Sequence, residues 1–178
     1  MVDNEAACGV WDKEGTCLVP MASIEELPVY HRETISDEYL DLMGHMNVRW
    51  YMALFGKAAW NYYPILGLSQ HYFRKTRTGT FALKQFIQYY AEVRVDQTVS
   101  VRIRFLNRSE RRFHLMHFMI NETTAKLAAT LEILSTFADL KKRRSVPIPP
   151  EIARRMDAQL ESNRQLKWEA QVCGVIHV

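Results

Sequence analysis

The segment from Val48 to Leu66, VRWYMALFGKAAWNYYPIL, constrains the fold more than any other part of the chain. Arg49, Lys57 and Asn61 are its only strongly polar residues, and at about 100° per residue they fall on one narrow stripe. A helix that is apolar on nearly every other side is a central one, buried by whatever the rest of the chain builds. Leu54 and Trp60 are therefore expected inside. Asn47 is a natural N-cap, because its side chain can accept from the free amides of the first turn, and Pro64 and Gly67 close the segment.

What surrounds this helix reads as strands. Residues 29–37 (VYHRETISD) form a first short strand, and 38–47 a turn-like connection containing Gly44. Residues 80–92 are rich in aromatic and branched side chains. Residues 97–106 alternate, with Val99, Val101, Ile103 and Phe105 on one face and Ser100, Arg102 and Arg104 on the other. Residues 111–121 and 126–140 supply two more long strands. The links NRSE and NETT are too short for a parallel crossover, so these strands run antiparallel. One short strand, one buried helix and four long strands make an α+β fold with a five-stranded antiparallel sheet. The basic, proline-rich stretch KKRRSVPIPP ends the last strand. A C-terminal helix follows over 151–170, with Pro150 in its first turn and Ile152, Met156 and Leu160 as a thin apolar seam. Residues 1–27 lack periodicity and read as an extension pinned by Trp11. The chain thus divides into an extension (1–27), a folded domain (28–150) and a C-terminal helix and tail (151–178).

Composition narrows the function. A chain of 178 residues suits one domain with a real core. A net charge of +3 is mild; it suits an anionic small ligand and gives no case for nucleic acid. The three cysteines are odd in number and form no CxxC pair, which fits reduced thiols in a cytoplasmic protein. The acidic N-terminus is not a secretory signal, and no apolar run is long enough to span a membrane. His114 and His117, three apart on a strand, face opposite sides and cannot share a metal. GLSQH at 67–71 lacks the second glycine of a nucleophile elbow and follows a helix rather than a strand. With no glycine-rich dinucleotide loop either, neither metal nor cofactor is expected.

The chemistry concentrates in DLMGHMNVRWY, from Asp41 to Tyr51. Asp41 stands on the loop leading into the central helix, Gly44 follows at the third position, then His45, Met46 and Asn47, with Tyr51 at the tenth. On these residues, the order of elements, the YYAEVRVDQ passage and the basic end of the last strand, the chain resembles the 4-hydroxybenzoyl-CoA thioesterase-like branch of the hotdog superfamily over roughly residues 29–150. The resemblance implies a long sheet wrapped around the helix, an acyl-CoA substrate, and a homodimer or a dimer of dimers. It makes Asp41 the catalytic acid, as general base or nucleophile, and places Gly44, His45, Asn47, Val48 and Tyr51 at the substrate. The physics agrees: a thioester carbonyl becomes an oxyanion when attacked, and free amides at a helix N-terminus, Val48's among them, stabilise that charge.

Each residue also has a plainer role. Asp41 can also be read as a solvated or capping acid, His45 as a packed loop residue, Asn47 as a plain cap and Tyr51 as core. Lys141, Lys142, Arg143 and Arg144 either meet the phosphates of coenzyme A or form a solvated strand end. A related arrangement with a Glu inside the central helix is ruled out, because residues 48–66 contain no acid. Hydratases of this fold separate their Asp and His by four residues; here three intervene. A module that binds or senses acyl-CoA without cleaving it stands as the alternative.

Overall fold

The computed structural model describes residues 8–11 and 17–178, with side chains from Val19 onward. The side chains of Trp11, Cys8 and Cys17 lie outside the described residues. In chain order the elements are β1 (Cys8–Trp11), β2 (Cys17–Pro20), α1 (Met21–Glu25), β3 (Val29–Thr34), α2 (Val48–Tyr62), α3 (Gln70–Thr76), β4 (Thr78–Tyr89), β5 (Thr98–Arg108), β6 (Arg112–Asn121), β7 (Lys126–Asp139), β8 (Arg144–Ser145) and α4 (Pro150–Arg164). The main sheet is antiparallel with order β3-β5-β6-β7-β4, and the two-residue β8 pairs with the end of β7. The five expected strands are present with this short sixth, and β1 and β2 form a separate hairpin. β5, β6 and β7 are a meander, as their short turns require. The link from β4 to β5 instead crosses to the far side, leaving β3 and β4 at the two edges.

One face of the sheet buries α2. Tyr51, Leu54, Phe55, Ala58 and Tyr62 of the helix pack against Val99, Val101, Ile103 and Phe105, the apolar face that the alternation in β5 marks out. Trp60 departs from expectation. It is 49% exposed, with its ring edge-on to Tyr63 and Phe73. The solvent stripe of α2 is wider than Arg49, Lys57 and Asn61, because Ala53, Gly56 and Trp60 share it. The sheet covers only one side of the helix, and the small side chains on the other side carry no sequence signal of their exposure. α3 was not legible either: seven residues, capped by Ser69 Oγ accepting from the Tyr72 amide, are too few to show a period.

The other face of the sheet is also covered. Met116, Phe118, Ile120 and Leu127 form a second apolar cluster with Val19, Met21, Ile24 and Leu27 from the N-terminal segment and Trp168 and Ala170 from the C-terminal tail. This explains why β6 is buried along both faces and sets apolar residues side by side, as in Leu115–Met116 and Phe118–Met119–Ile120, rather than alternating them with exposed ones. It also changes the meaning of the polar face of β5. Arg102 donates to the carbonyls of Glu25 and Leu27, and buried Arg104 donates to that of Trp168 while lying over its indole at 4.3 Å. A pattern that reads as solvent-facing is a set of anchors for the terminal segments.

The two strand histidines do face opposite sides. His114 Nε2 meets Glu132 Oε1 at 2.8 Å on the outer face, and Glu132 Oε2 accepts from the Cys173 amide at 2.7 Å, so a buried carboxylate holds the tail. His117 lies on the helix side, edge-on to Phe55, its Nδ1 3.3 Å from the Leu131 carbonyl and its Nε2 buried without a partner. Burial pushes the His117 imidazole down to about 4. The unfolded chain, with a pKa of about 6.5, therefore takes up this proton first as pH falls, and the contribution of His117 to stability is complete above that value. Between pH 7.5 and pH 5 it should cost the protein about 2 kcal/mol. Denaturant titrations at the two pH values should show that loss in the wild type and a clearly smaller one in His117→Leu; equal losses would contradict the burial of a neutral imidazole.

Candidate active site

The approach to α2 is held by its backbone. Leu40 and Met46 form a bridge, the Asp41 amide donates to the His45 carbonyl at 3.0 Å, and the Gly44 amide donates to the Asp41 carbonyl at 3.0 Å. Asp41 Oδ1 accepts from the Met43 amide at 2.8 Å, closing an Asx turn. Gly44 takes φ +78, which only glycine adopts without strain, and a Cβ there would meet nothing within 4 Å. The loop's demand on Gly44 is thus conformational. The loop is then tied to the rest of the fold: the Met46 amide donates to the Val93 carbonyl at 2.7 Å and the Asn47 amide to that of Tyr39 at 2.9 Å.

Asn47 is the N-cap, its Oδ1 accepting from the Arg49 amide at 3.1 Å. Among the described residues no acceptor lies against the Val48 amide. The first turn of α2 therefore keeps a free donor at the positive end of a fifteen-residue helix.

This end of the helix opens on a cavity of about 260 Å³. His45, Met46, Val48 and Tyr51 line it from the loop and helix, and Tyr89, Tyr90, Ala91 and Glu92 from the end of β4 and the residues after it. Tyr51 and Tyr89 meet with ring centroids 5.0 Å apart and planes at 85°. Burial, with a smaller contribution from Tyr89, pushes the Tyr51 phenol up to about 12, so it is neutral across the physiological range.

The structure brings His45, Val48 and Tyr51 to one cavity. Asp41 stands just behind this wall: its Oδ2 is 3.7 Å from His45 Nδ1, and the acid does not itself line the space. Gly44 shapes the loop and Asn47 caps the helix. Beside the loop, Leu42 and Met43 are almost fully exposed. Glu92 and the pairing of Tyr89 with Tyr51 were missed from the sequence, because they come from a strand end some forty residues away that only the topology brings to the helix. Among the described residues no group of three or more His, Cys, Asp or Glu is placed to hold a metal ion, and no helix is long and apolar enough to cross a membrane.

Comparison with known proteins bears on this arrangement. The family model of the thioesterase-like superfamily matches residues 35–156. The betainyl-CoA thioesterase of Pseudomonas aeruginosa is 25% identical over 129 residues, 72% of this chain and 81% of the relative. The L-carnitine dehydrogenase/betainyl-CoA thioesterase of Agrobacterium fabrum is 28% identical over 127 residues, 71% of this chain, yet this chain spans only 26% of that relative's length. Among solved structures, a Staphylococcus aureus protein in complex with CoA superposes with a TM-score of 0.75 at 20% identity, covering 85% of this chain and 96% of the other. The 1,4-dihydroxy-2-naphthoyl-CoA thioesterase of Synechocystis superposes at 0.63 with 14% identity, covering 71% and 93%. A curled antiparallel sheet around a central helix, matched at this extent by both family model and solved structures, places the chain in the thioesterase-like superfamily with the hotdog fold.

Proposed function

We propose that the protein hydrolyses an acyl-CoA thioester to the free acid and coenzyme A. The observation that carries this is the meeting, at one helix end, of a carboxylate, a histidine and an unpaired amide beside an aromatic cavity. Asp41 takes a proton from attacking water, or attacks the carbonyl itself; His45 orients it. The Val48 amide and the field of α2 stabilise the oxyanion. Collapse of the tetrahedral intermediate breaks the C–S bond, and the thiolate of coenzyme A leaves and takes up a proton. The water route gives the free acid at once, whereas the nucleophilic route leaves an acyl–Asp41 anhydride that a water then hydrolyses to the acid and the free carboxylate. The relatives named as betainyl-CoA thioesterases make a betainyl thioester the first substrate to try; the 4-hydroxybenzoyl-CoA branch is the second.

One observation favours the alternative of a module that binds acyl-CoA without cleaving it. Asp41 Oδ1 is already engaged by the Met43 amide, and the acid sits behind the cavity wall. A single substitution separates the two. Asp41→Asn keeps the shape and the turn but can neither take a proton nor attack. It should lower kcat by about 10²–10⁴-fold, with melting temperature nearly unchanged. Turnover at close to the wild-type rate would remove Asp41 from the mechanism. A wild type that binds a thioether analogue yet releases no thiol from any thioester in a broad panel would establish the binding module.

The working unit is proposed to be at least a homodimer. Among the described residues β4 is an unpaired edge of twelve residues, and Phe81, Leu83 and Phe86 on it are exposed. A second copy pairing edge to edge would satisfy the backbone and cover these side chains. Light scattering at micromolar concentration should report twice the chain mass of 20.8 kDa or more; a stable monomer would refute the pairing.

A further inference from the structure

The cavity beside Asp41 has a chemistry of its own that bears on which acyl group it takes. Three of its side chains are tyrosines, and among the described residues Glu92 is the one acid in its lining. Among the described residues no lysine or arginine lines it. Arg49 is turned over the Trp50 ring at 5.2 Å, and Arg94 is paired with Glu92 at 3.1 Å, outside the lining. The tyrosines offer surface more than donors. The Tyr51 hydroxyl is bound at the Val93 backbone, and that of Tyr90 donates to Gln88 Oε1 at 3.2 Å. Tyr51 and Tyr89 meet at a right angle and form a corner, of which Tyr51 is the fixed wall, buried and anchored in the helix.

Such a corner suits a rounded cation without hydrogen-bond donors. Ring quadrupoles attract positive charge within about 6 Å of a ring centroid, and N-methyl groups fill an apolar corner without leaving a donor unpaired. A primary ammonium would bring three donors to satisfy, and the carboxylate in the lining, Glu92, is already paired with Arg94. The cavity, about 260 Å³, is roomy enough for a compact head group.

We propose that Tyr51, Tyr89 and Tyr90 form an aromatic corner, with Glu92 at its mouth, that selects acyl-CoA thioesters carrying a small quaternary ammonium group. The inference rests on the reading of this site as the acyl-CoA site and assigns the residues that set its specificity. The positive charge sits against the rings of Tyr51 and Tyr89, Glu92 adds a screened attraction, and the thioester lies toward Val48 and Asp41.

The test separates charge from shape. Three non-hydrolysable CoA thioethers are compared by calorimetry: one bearing a 2-(trimethylammonio)ethyl group, its neutral isostere bearing 3,3-dimethylbutyl, and one bearing benzyl. The cationic thioether should bind about tenfold more tightly than its isostere. Tyr89→Leu should reduce that ratio to about threefold or less, and Tyr89→Phe, which keeps the ring, should preserve it. Melting curves check that both variants are folded. Equal affinities, tighter binding of the dimethylbutyl or benzyl thioether, or no binding of the cationic one would overturn the proposal; so would a ratio unaffected by Tyr89→Leu. Thiol release from the matching thioesters is measured in parallel. A binding preference without hydrolysis leaves the corner standing and removes the thioesterase chemistry, whereas hydrolysis without preference does the reverse.

Discussion

The start of α2 is the point on which both fold and site depend. Met46 and Asn47 spend their amides on Val93 and Tyr39, tying the loop to the link after β4 on one side and to the segment after β3 on the other. Those two hydrogen bonds fix where the helix begins. Asn47 can then cap it, Leu54 and Phe55 can fall on the sheet, and the Val48 amide is left without a partner among the described residues, in a residue that lines the cavity. Had the helix begun one residue earlier or later, its apolar face would turn by about 100° away from β5.

The geometry has a chemical counterpart. The same loop that sets the helix also holds Asp41, through its Asx turn and through His45. The acid is therefore placed by backbone hydrogen bonds rather than by long side chains, which limits its freedom before any ligand arrives. The cavity wall opposite is supplied by the end of the edge strand β4. Shape at the site is thus shared between a rigidly seated helix and a strand whose far side is open.

Much of this was legible in the sequence. The alternation of β5, the short turns of the meander, the cap at Asn47 and the start of α2 were each readable because local chemistry dictates them. What was not readable is what depends on distant partners. Ser100, Arg102 and Arg104 look like a wet strand face; they are covered because segments far away in the chain fold over them. Trp60 looks like core, since nothing in a run of apolar residues tells which aromatic will find no sheet above it. At the site, Asp41 to Tyr51 stood out as one contiguous motif, whereas the wall formed by Tyr89 and Glu92 needed the β4 crossover to be known.

The double covering of β6 has a consequence for synthesis. Its outer side chains are shielded on one side by residues made long before it and on the other by Trp168, made fifty residues after Phe118, against which the indole packs at 5.6 Å. At roughly 5–20 residues per second, a nascent chain carries Met116, Phe118 and Ile120 only half covered for about 3–10 s. During that interval β6 and β7 present an apolar surface that belongs to the finished protein's interior, and it is in this window, rather than in the folded state, that the molecule is most exposed to aggregation.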